Sequence, residues 1–412
     1  MTGGDEVAST CRLCNVPMWE FLDLGPQPVS QRYREPGDTS GEFLFRLAVG
    51  QCPACTLVQL MEEVPRDLMF RDDYPFTSSG SRFMREHFTA VAEELISAEL
   101  TGPDPFVVEI GCNDGVMLRA MKDAGIRHLG FEPSGAVARM AGAAGIRVIT
   151  DFFEESTARA VATVEGRADV VYAANTICHI PYLDSVFRGL DALLAPRGVF
   201  VFEDPYLGDI VEKTSFDQIY DEHFYLFSAR SVSRIARRFG FELVDVRRLP
   251  VHGGEVRYTL ARVGTRTPTD SVVALIAEED ARGLADPITL AGFARRISKI
   301  RDTLVSELST LRRRGRRVVG YGATAKSATL LNFCGIGPEL VPFICDSTVS
   351  KQGLLTPGSR IPIRPPEAFA DPYPDYALLF AWNHAAEIMA KEADFRRAGG
   401  RWLTYVPDVH VI

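Results

Sequence analysis

Two hydrophobic rhythms divide the chain. Apolar residues three and four apart mark helices, and short unbroken apolar runs mark buried strands. Across residues 81–100, Phe83, Met84, Phe88, Val91, Leu95 and Ile96 recur at helical spacing, and Thr101-Gly102-Pro103 stops the run. Residues 106–110, 128–132, 169–173 and 198–203 then read as four strands separated by helical stretches. Strands alternating with helices predict an open parallel sheet with ligands at the strands' carboxyl ends. A mostly helical region follows Pro268. After it, residues 317–322 open a second α/β unit with later strands at 340–345 and 376–380. Ahead of all this, residues 1–66 carry only short strand-like runs such as 43–49. The pattern predicts an α/β protein in three blocks, 1–66, 67–265 with its linking helix, and 266–412.

Composition narrows the function classes. The chain has 412 residues, of which 46% are hydrophobic and 24% charged, as in ordinary globular proteins. A formal charge of −9 argues against a sequence-independent grip on nucleic acid. The basic run at 312–317 falls at a predicted helix end, where cations favour the dipole. Asp5 and Glu6 stand where a secretory signal would be basic, and no run reaches membrane-span length. A cytoplasmic monomer without membrane or nucleic-acid partners is expected.

Four of the eight cysteines form two pairs, Cys11-Arg12-Leu13-Cys14 and Cys52-Pro53-Ala54-Cys55. Paired Cys-x-x-Cys knuckles predict a tetrahedral zinc site, and four thiolates leave no open position, so the metal is structural. Cys112, Cys178, Cys334 and Cys345 are scattered and read as small buried hydrophobes.

The segment Glu109-Ile110-Gly111-Cys112-Asn113-Asp114-Gly115 follows a strand and precedes a helical run. Gly111 lets the backbone turn and a ligand approach. Glu109 and Asp114 would repel a pyrophosphate but suit a sulfonium and an α-amino group, which favours S-adenosylmethionine over a dinucleotide. Glu132, ending the second strand, fits ribose hydroxyls. Asp151 and Phe152 fit the adenine, and Asn175 the methionine portion.

For the acceptor, residues 216–225 are the densest polar and aromatic run. Tyr220 and His223 would share a face in a helical turn, with Glu222 beside them. His179 and Tyr74 are further candidates, whereas His87, His128, His384 and His410 read as ordinary structural histidines. In the second α/β unit, Gly320-Tyr321-Gly322-Ala323-Thr324-Ala325 matches the alanine form of the dinucleotide loop, with Asp346 at the expected distance. Lys326-Ser327 suggests a P-loop, but Ala325 replaces its final glycine. The unit reads as a nucleotide-handling fold, with Lys351 as a further contact. A working NAD site, making the protein an oxidoreductase, is the alternative.

The cysteine knuckles, the 109–115 loop, Tyr220-Asp221-Glu222-His223-Phe224, His252-Gly253-Gly254-Glu255-Val256-Arg257 and the 320–327 loop occur in this order in a known family. The chain resembles sugar C-methyltransferases of antibiotic deoxysugar biosynthesis, in particular C-3 methyltransferases of the tetronitrose pathway. These act on dTDP-linked 3-amino-2,3,6-trideoxy-4-keto sugars. The resemblance implies a zinc-binding N-terminal domain, a class I methyltransferase core and a C-terminal Rossmann-like domain, with the dTDP-sugar between the last two. It implies catalysis by Tyr220 and His223, and a sugar site lined by Tyr74, His179 and Glu222.

Overall fold

A computed structural model describes residues 9–70 and 77–412. The N-terminal block holds β1 (Trp19–Pro28), β2 (Leu44–Gln51) and β3 (Val58–Leu60), each antiparallel to the next. A short helix α1 (Arg66–Met69) leaves the block, and α2 (Arg82–Ala98) follows. Ser81 caps α2 by accepting from Met84 N, and its buried face is Met84, Phe88, Val91, Ala92 and Leu95.

The strands of the central sheet lie in the order Phe241–Leu249, Glu255–Arg262, Leu194–Pro205, Ala168–Ala174, Phe106–Ile110, Arg127–Phe131, Val148–Ile149. Its parallel part is β4 (Phe106–Ile110), β5 (Arg127–Phe131), β6 (Val148–Ile149), β7 (Ala168–Ala174) and β8 (Leu194–Pro205). The helices between them are α3 (Val116–Asp123), α4 (Gly135–Ala143), α5 (Glu155–Glu165) and α6 (Leu183–Leu193). Every residue of β4 is buried, as a strand covered on both faces requires. The sheet is mixed, not wholly parallel. Beyond β8, α7 (Leu207–Lys213), the two-residue β9 (Tyr225–Leu226) and α8 (Ala229–Arg238) lead to an antiparallel hairpin, β10 (Phe241–Leu249) and β11 (Glu255–Arg262). The hairpin turn carries His252-Gly253-Gly254, all at positive φ.

The short β9 joins a different sheet. It pairs with β3, Val58 opposite Leu226 and Gln59 opposite Tyr225, so the N-terminal sheet takes its fourth strand from the middle of the chain.

Helices α9 (Asp270–Ala281) and α10 (Pro287–Arg313) lead to the last unit; Asp286 caps α10, with Pro287 in its first turn. There, β12 (Val318–Tyr321), β13 (Ile344–Cys345), β14 (Ile363–Arg364), β15 (Tyr376–Leu379), β16 (Arg401–Thr404) and β17 (His410–Val411) form a sheet in the order β14-β13-β12-β15-β16-β17. Only β17 is antiparallel. Helix α11 (Ala325–Cys334) follows β12. The strand expected at 340–345 shrinks to Ile344–Cys345, because Pro342 has no N–H to give a ladder. One contiguous hydrophobic core runs from the N-terminal sheet through α6 and α8 to α10 and α11. Among the described residues, no helix is long and apolar enough to cross a membrane.

Candidate active site

A cavity of about 290 Å³ opens at the carboxyl ends of the central strands. One end belongs to the loop after β4. Gly111, Asn113 and Gly115 all take positive φ there, at 68°, 50° and 75°. A Cβ on Gly111 would run into the Thr176 side chain. Glu132 organises this loop: its carboxylate accepts from Asn113 N at 3.0 Å and Ser134 N at 2.8 Å. From above, Ser78 N donates to Asn113 Oδ1 at 2.8 Å and Ser79 N to Asp114 Oδ2 at 3.1 Å, docking the start of α2 over the loop. His87 on α2 holds Glu203 Oε2 at 2.7 Å, a second tether of that helix to the sheet.

Gly111, Asn113, Glu132, Asp151, Phe152 and Asn175 all line the cavity. Glu109 does not. Its side chain is buried behind the loop, where desolvation, with Asp114 and Glu132 nearby, pushes its pKa well up. The burial favours its protonated form, so its charge is not the open anionic feature of the loop. The Phe152 ring lies under the Arg66 guanidinium at 4.3 Å, and Tyr182 flanks the same group at 5.5 Å. A shaped slot with a glycine floor, a carboxylate at its edge and an aromatic wall fits S-adenosylmethionine. Gly111→Ala is expected to cost about 1–2 kcal/mol through its left-handed backbone. That should weaken binding of S-adenosylhomocysteine about 10-fold by calorimetry, and unchanged affinity would remove the loop from the donor site.

The other end of the cavity is built around His223. The segment 220–223 is a turn and not a helix, closed by His223 N to Tyr220 O at 3.0 Å. It still brings the two rings together, 4.1 Å between centroids. His179 stacks on His223 at 5.1 Å and on Phe70 at 5.9 Å. Nδ1 of His223 lies 2.6 Å from Gln218 O. A carbonyl only accepts, so Nδ1 carries the hydrogen and Nε2 keeps the lone pair. Burial, then His179, lowers the His223 pKa well below its usual range, and burial takes His179 to about 3. Both rings are neutral. Tyr220 moves the other way, burial holding its proton on well past pH 10.

Three parts of the chain hold this turn. Ser30 N, just past β1, donates to Asp221 Oδ1 at 3.0 Å, and Leu60 N at the end of β3 donates to Phe224 O at 2.9 Å. Thr329 on α11 donates to Ile219 O at 2.9 Å. Trp382 Nε1 and Tyr405 OH each donate to Asp217 Oδ2 at 2.7 Å.

Glu222 and Lys351 also line the cavity. Lys351 Nζ donates to Ala323 O at 2.8 Å and lies 5.2 Å from the Tyr33 ring centre. Burial opposes its charge, but Tyr33 and Asp346 outweigh it and raise the pKa. Tyr74 lies outside the described residues. The C-terminal loop adds Thr324, Ala325 and Lys326 at the start of α11, a helix N-terminus facing the cavity. Asp346 mirrors Glu132, accepting from Ala323 N and Thr348 N at 2.7 Å each. Two histidines given no binding role from the sequence, His252 and His384, line the cavity as well, their rings 6.5 Å apart. The 252–257 motif pointed toward His252. No local pattern marks His384.

The four knuckle cysteines converge, their sulfurs all within 4.8 Å of one another. Each pair ends on a residue at positive φ, Asn15 at 55° and Thr56 at 63°. Matching turns then place Cys14 N on Cys11 Sγ and Cys55 N on Cys52 Sγ, both at 3.4 Å. Burial raises the Cys14 thiol to about 11, while its neighbour Cys55 lowers Cys11 to about 4. Thiols so crowded with amide hydrogens aimed at sulfur fit Zn²⁺ in a closed structural site.

A glycine-loop donor site on a class I core, with a zinc module in front, defines an S-adenosylmethionine-dependent methyltransferase. Family models agree with that division. Residues 11–70 match a zinc binding domain, 83–246 a methyltransferase domain, and 250–407 a C-methyltransferase C-terminal domain. The chain is 34% identical over 405 residues to the C-methyltransferase NovU of Streptomyces niveus, covering 98% of this chain and 96% of that one. It belongs to that C-methyltransferase family. Among solved structures it overlaps an Anabaena variabilis SAM-dependent methyltransferase at 18% identity, TM-score 0.34, across 42% of this chain and 84% of that one. It also overlaps the Synechocystis magnesium protoporphyrin IX methyltransferase with bound SAH at 15% identity, TM-score 0.33, across 43% and 82%. The C-terminal unit is thus part of a C-methyltransferase, and the oxidoreductase alternative has no support.

Proposed function

We propose that the enzyme methylates C-3 of a dTDP-linked (3-amino-)2,3,6-trideoxy-4-keto hexose in antibiotic deoxysugar biosynthesis. The observation that carries this reading is the neutral, Nδ1-anchored His223. It shares one cavity with the donor loop and with Lys326 and Lys351 of the C-terminal unit. S-adenosylmethionine supplies an electrophilic methyl group. His223 Nε2 takes the proton from the carbon beside the ketone. Tyr220, still protonated, donates to the ketone oxygen as it gains charge. Held in one cavity with the donor, the deprotonated carbon would take up the methyl group as S-adenosylhomocysteine leaves, and this proximity would lower the barrier.

Glu222, His179 and Tyr74 are assigned to the sugar, and Asp151, Phe152 and Asn175 to the donor. Lys351 takes the nucleotide portion, with the N-terminus of α11 positioned for phosphate. Burial lowers the Lys326 pKa, while the nearby Asp217 and Glu255 act to raise it. An anionic diphosphate would offset that burial and favour the charged form. The protein works as a cytoplasmic monomer without nucleic-acid or membrane partners. Incubation with a dTDP-3-amino-4-keto-hexose and S-adenosylmethionine should add one methyl group to the sugar by mass spectrometry. No gain with folded protein would sink the reading.

A further inference from the structure

Beside the assigned base lies a second set of metal-binding groups. The Cys178 thiol and one ring nitrogen each of His179 and His223 lie within 4.8 Å of one another. Cys178 and His179 share the single turn Ile177–His179 after β7, and His223 comes from the turn before β9. The lone pair of His223 is at Nε2, since Nδ1 is committed to Gln218 O. Nε2 of His179 is buried with no hydrogen-bond partner among the described residues. Cys178 N donates to Asp204 Oδ2 at 3.0 Å, and Asp204 Oδ1 is likewise buried and unpartnered, so a carboxyl backs the thiol. Two imidazoles, a thiol and a carboxyl behind it form a donor set for a borderline-soft cation, not for Mg²⁺ or Ca²⁺.

We propose that Cys178, His179 and His223 form an inhibitory site for Zn²⁺ or a cation of its class, distinct from the four-cysteine centre. The inhibition rests on the assignment of His223 as the base. On binding, the Cys178 thiol releases its proton to solvent and forms a sulfur–metal bond, and each imidazole donates one nitrogen lone pair. Bond lengths of about 2.0–2.3 Å require the three atoms to draw closer together on binding. The lone pair that removes the substrate proton is then occupied.

The test uses the enzyme with its four-cysteine zinc in place, dialysed against buffered Zn²⁺ while turnover is followed in the same buffers. A second equivalent of zinc should bind and turnover fall in step with it. A mild chelator should restore activity without removing the first zinc, and Mg²⁺ should do nothing. Cys178→Ala should keep the metal-free turnover of the parent. It should bind the second zinc at least about 100-fold more weakly, since loss of an outer-shell partner alone costs about 10–100-fold. Co²⁺ as the second metal should show a sulfur-to-metal absorption band in the native chain, a readout that stands even if Cys178→Ala folds poorly. No second equivalent, no such band, or equal sensitivity in Cys178→Ala would overturn the proposal. Cys178-dependent binding without loss of turnover would overturn the inhibitory role. In that event, turnover surviving in His223→Asn would place the error in the base assignment.

Discussion

His223→Asn should leave S-adenosylhomocysteine binding intact while turnover falls by roughly 10²–10⁴-fold, the usual worth of a positioned general base. Asn keeps a group able to donate to Gln218 O but offers no basic nitrogen. The pH profile supplies an independent check. Burial and His179 lower the His223 pKa below 6.5, so the ring loses its proton at a lower pH than free imidazole. The base is therefore ready throughout the neutral range, and the acid limb of kcat/KM should fall below pH 6.5. In His223→Asn that limb should vanish along with the rate. Turnover close to the parent's would move the base to Tyr220 or His179.

Removing the structural zinc should be as damaging, although no cysteine sulfur of that centre touches the cavity. Structural zinc contributes about 10–16 kcal/mol of apparent free energy in small zinc modules. That matches or exceeds the ~5–15 kcal/mol of a whole domain's stability. The module supplies Ser30 N to Asp221 and Leu60 N to Phe224, on either side of His223. Cys52→Ser is expected to lose the bound zinc, to lose amide protection across β2 and β3, and to lose turnover with them. Metal analysis, hydrogen exchange and the methyl-transfer assay read the three effects. A metal-free chain that stays folded and active would refute the structural role.

The parts of this molecule legible in the sequence are those whose physics is local. The Cys-x-x-Cys knuckles need only a short turn, and the donor loop only a strand, glycines and a helix. Both could be read because neighbours in sequence do the work. Glu109 shows the limit: composition gives a carboxylate, but only the depth of β4 reveals that burial pushes its pKa up. Tyr220 and His223 meet as expected, yet through a turn fixed by remote donors such as Thr329 and Trp382. A two-residue strand such as Tyr225–Leu226 has no periodicity to detect. His384 enters the cavity because β15 ends there, a matter of sheet order that no local pattern encodes.

The loan of β9 to the N-terminal sheet has a bearing on how the chain acquires its structure. During synthesis the knuckles emerge first and can take up metal at once, but β3 then presents an open edge. Its partner arrives only after the whole parallel half of the central sheet has been made. The first block to appear is therefore among the last to be finished. The residues that finish it, Tyr225 and Leu226, immediately follow His223 and Phe224. Closing the oldest part of the molecule and setting the reactive turn are one event in its assembly.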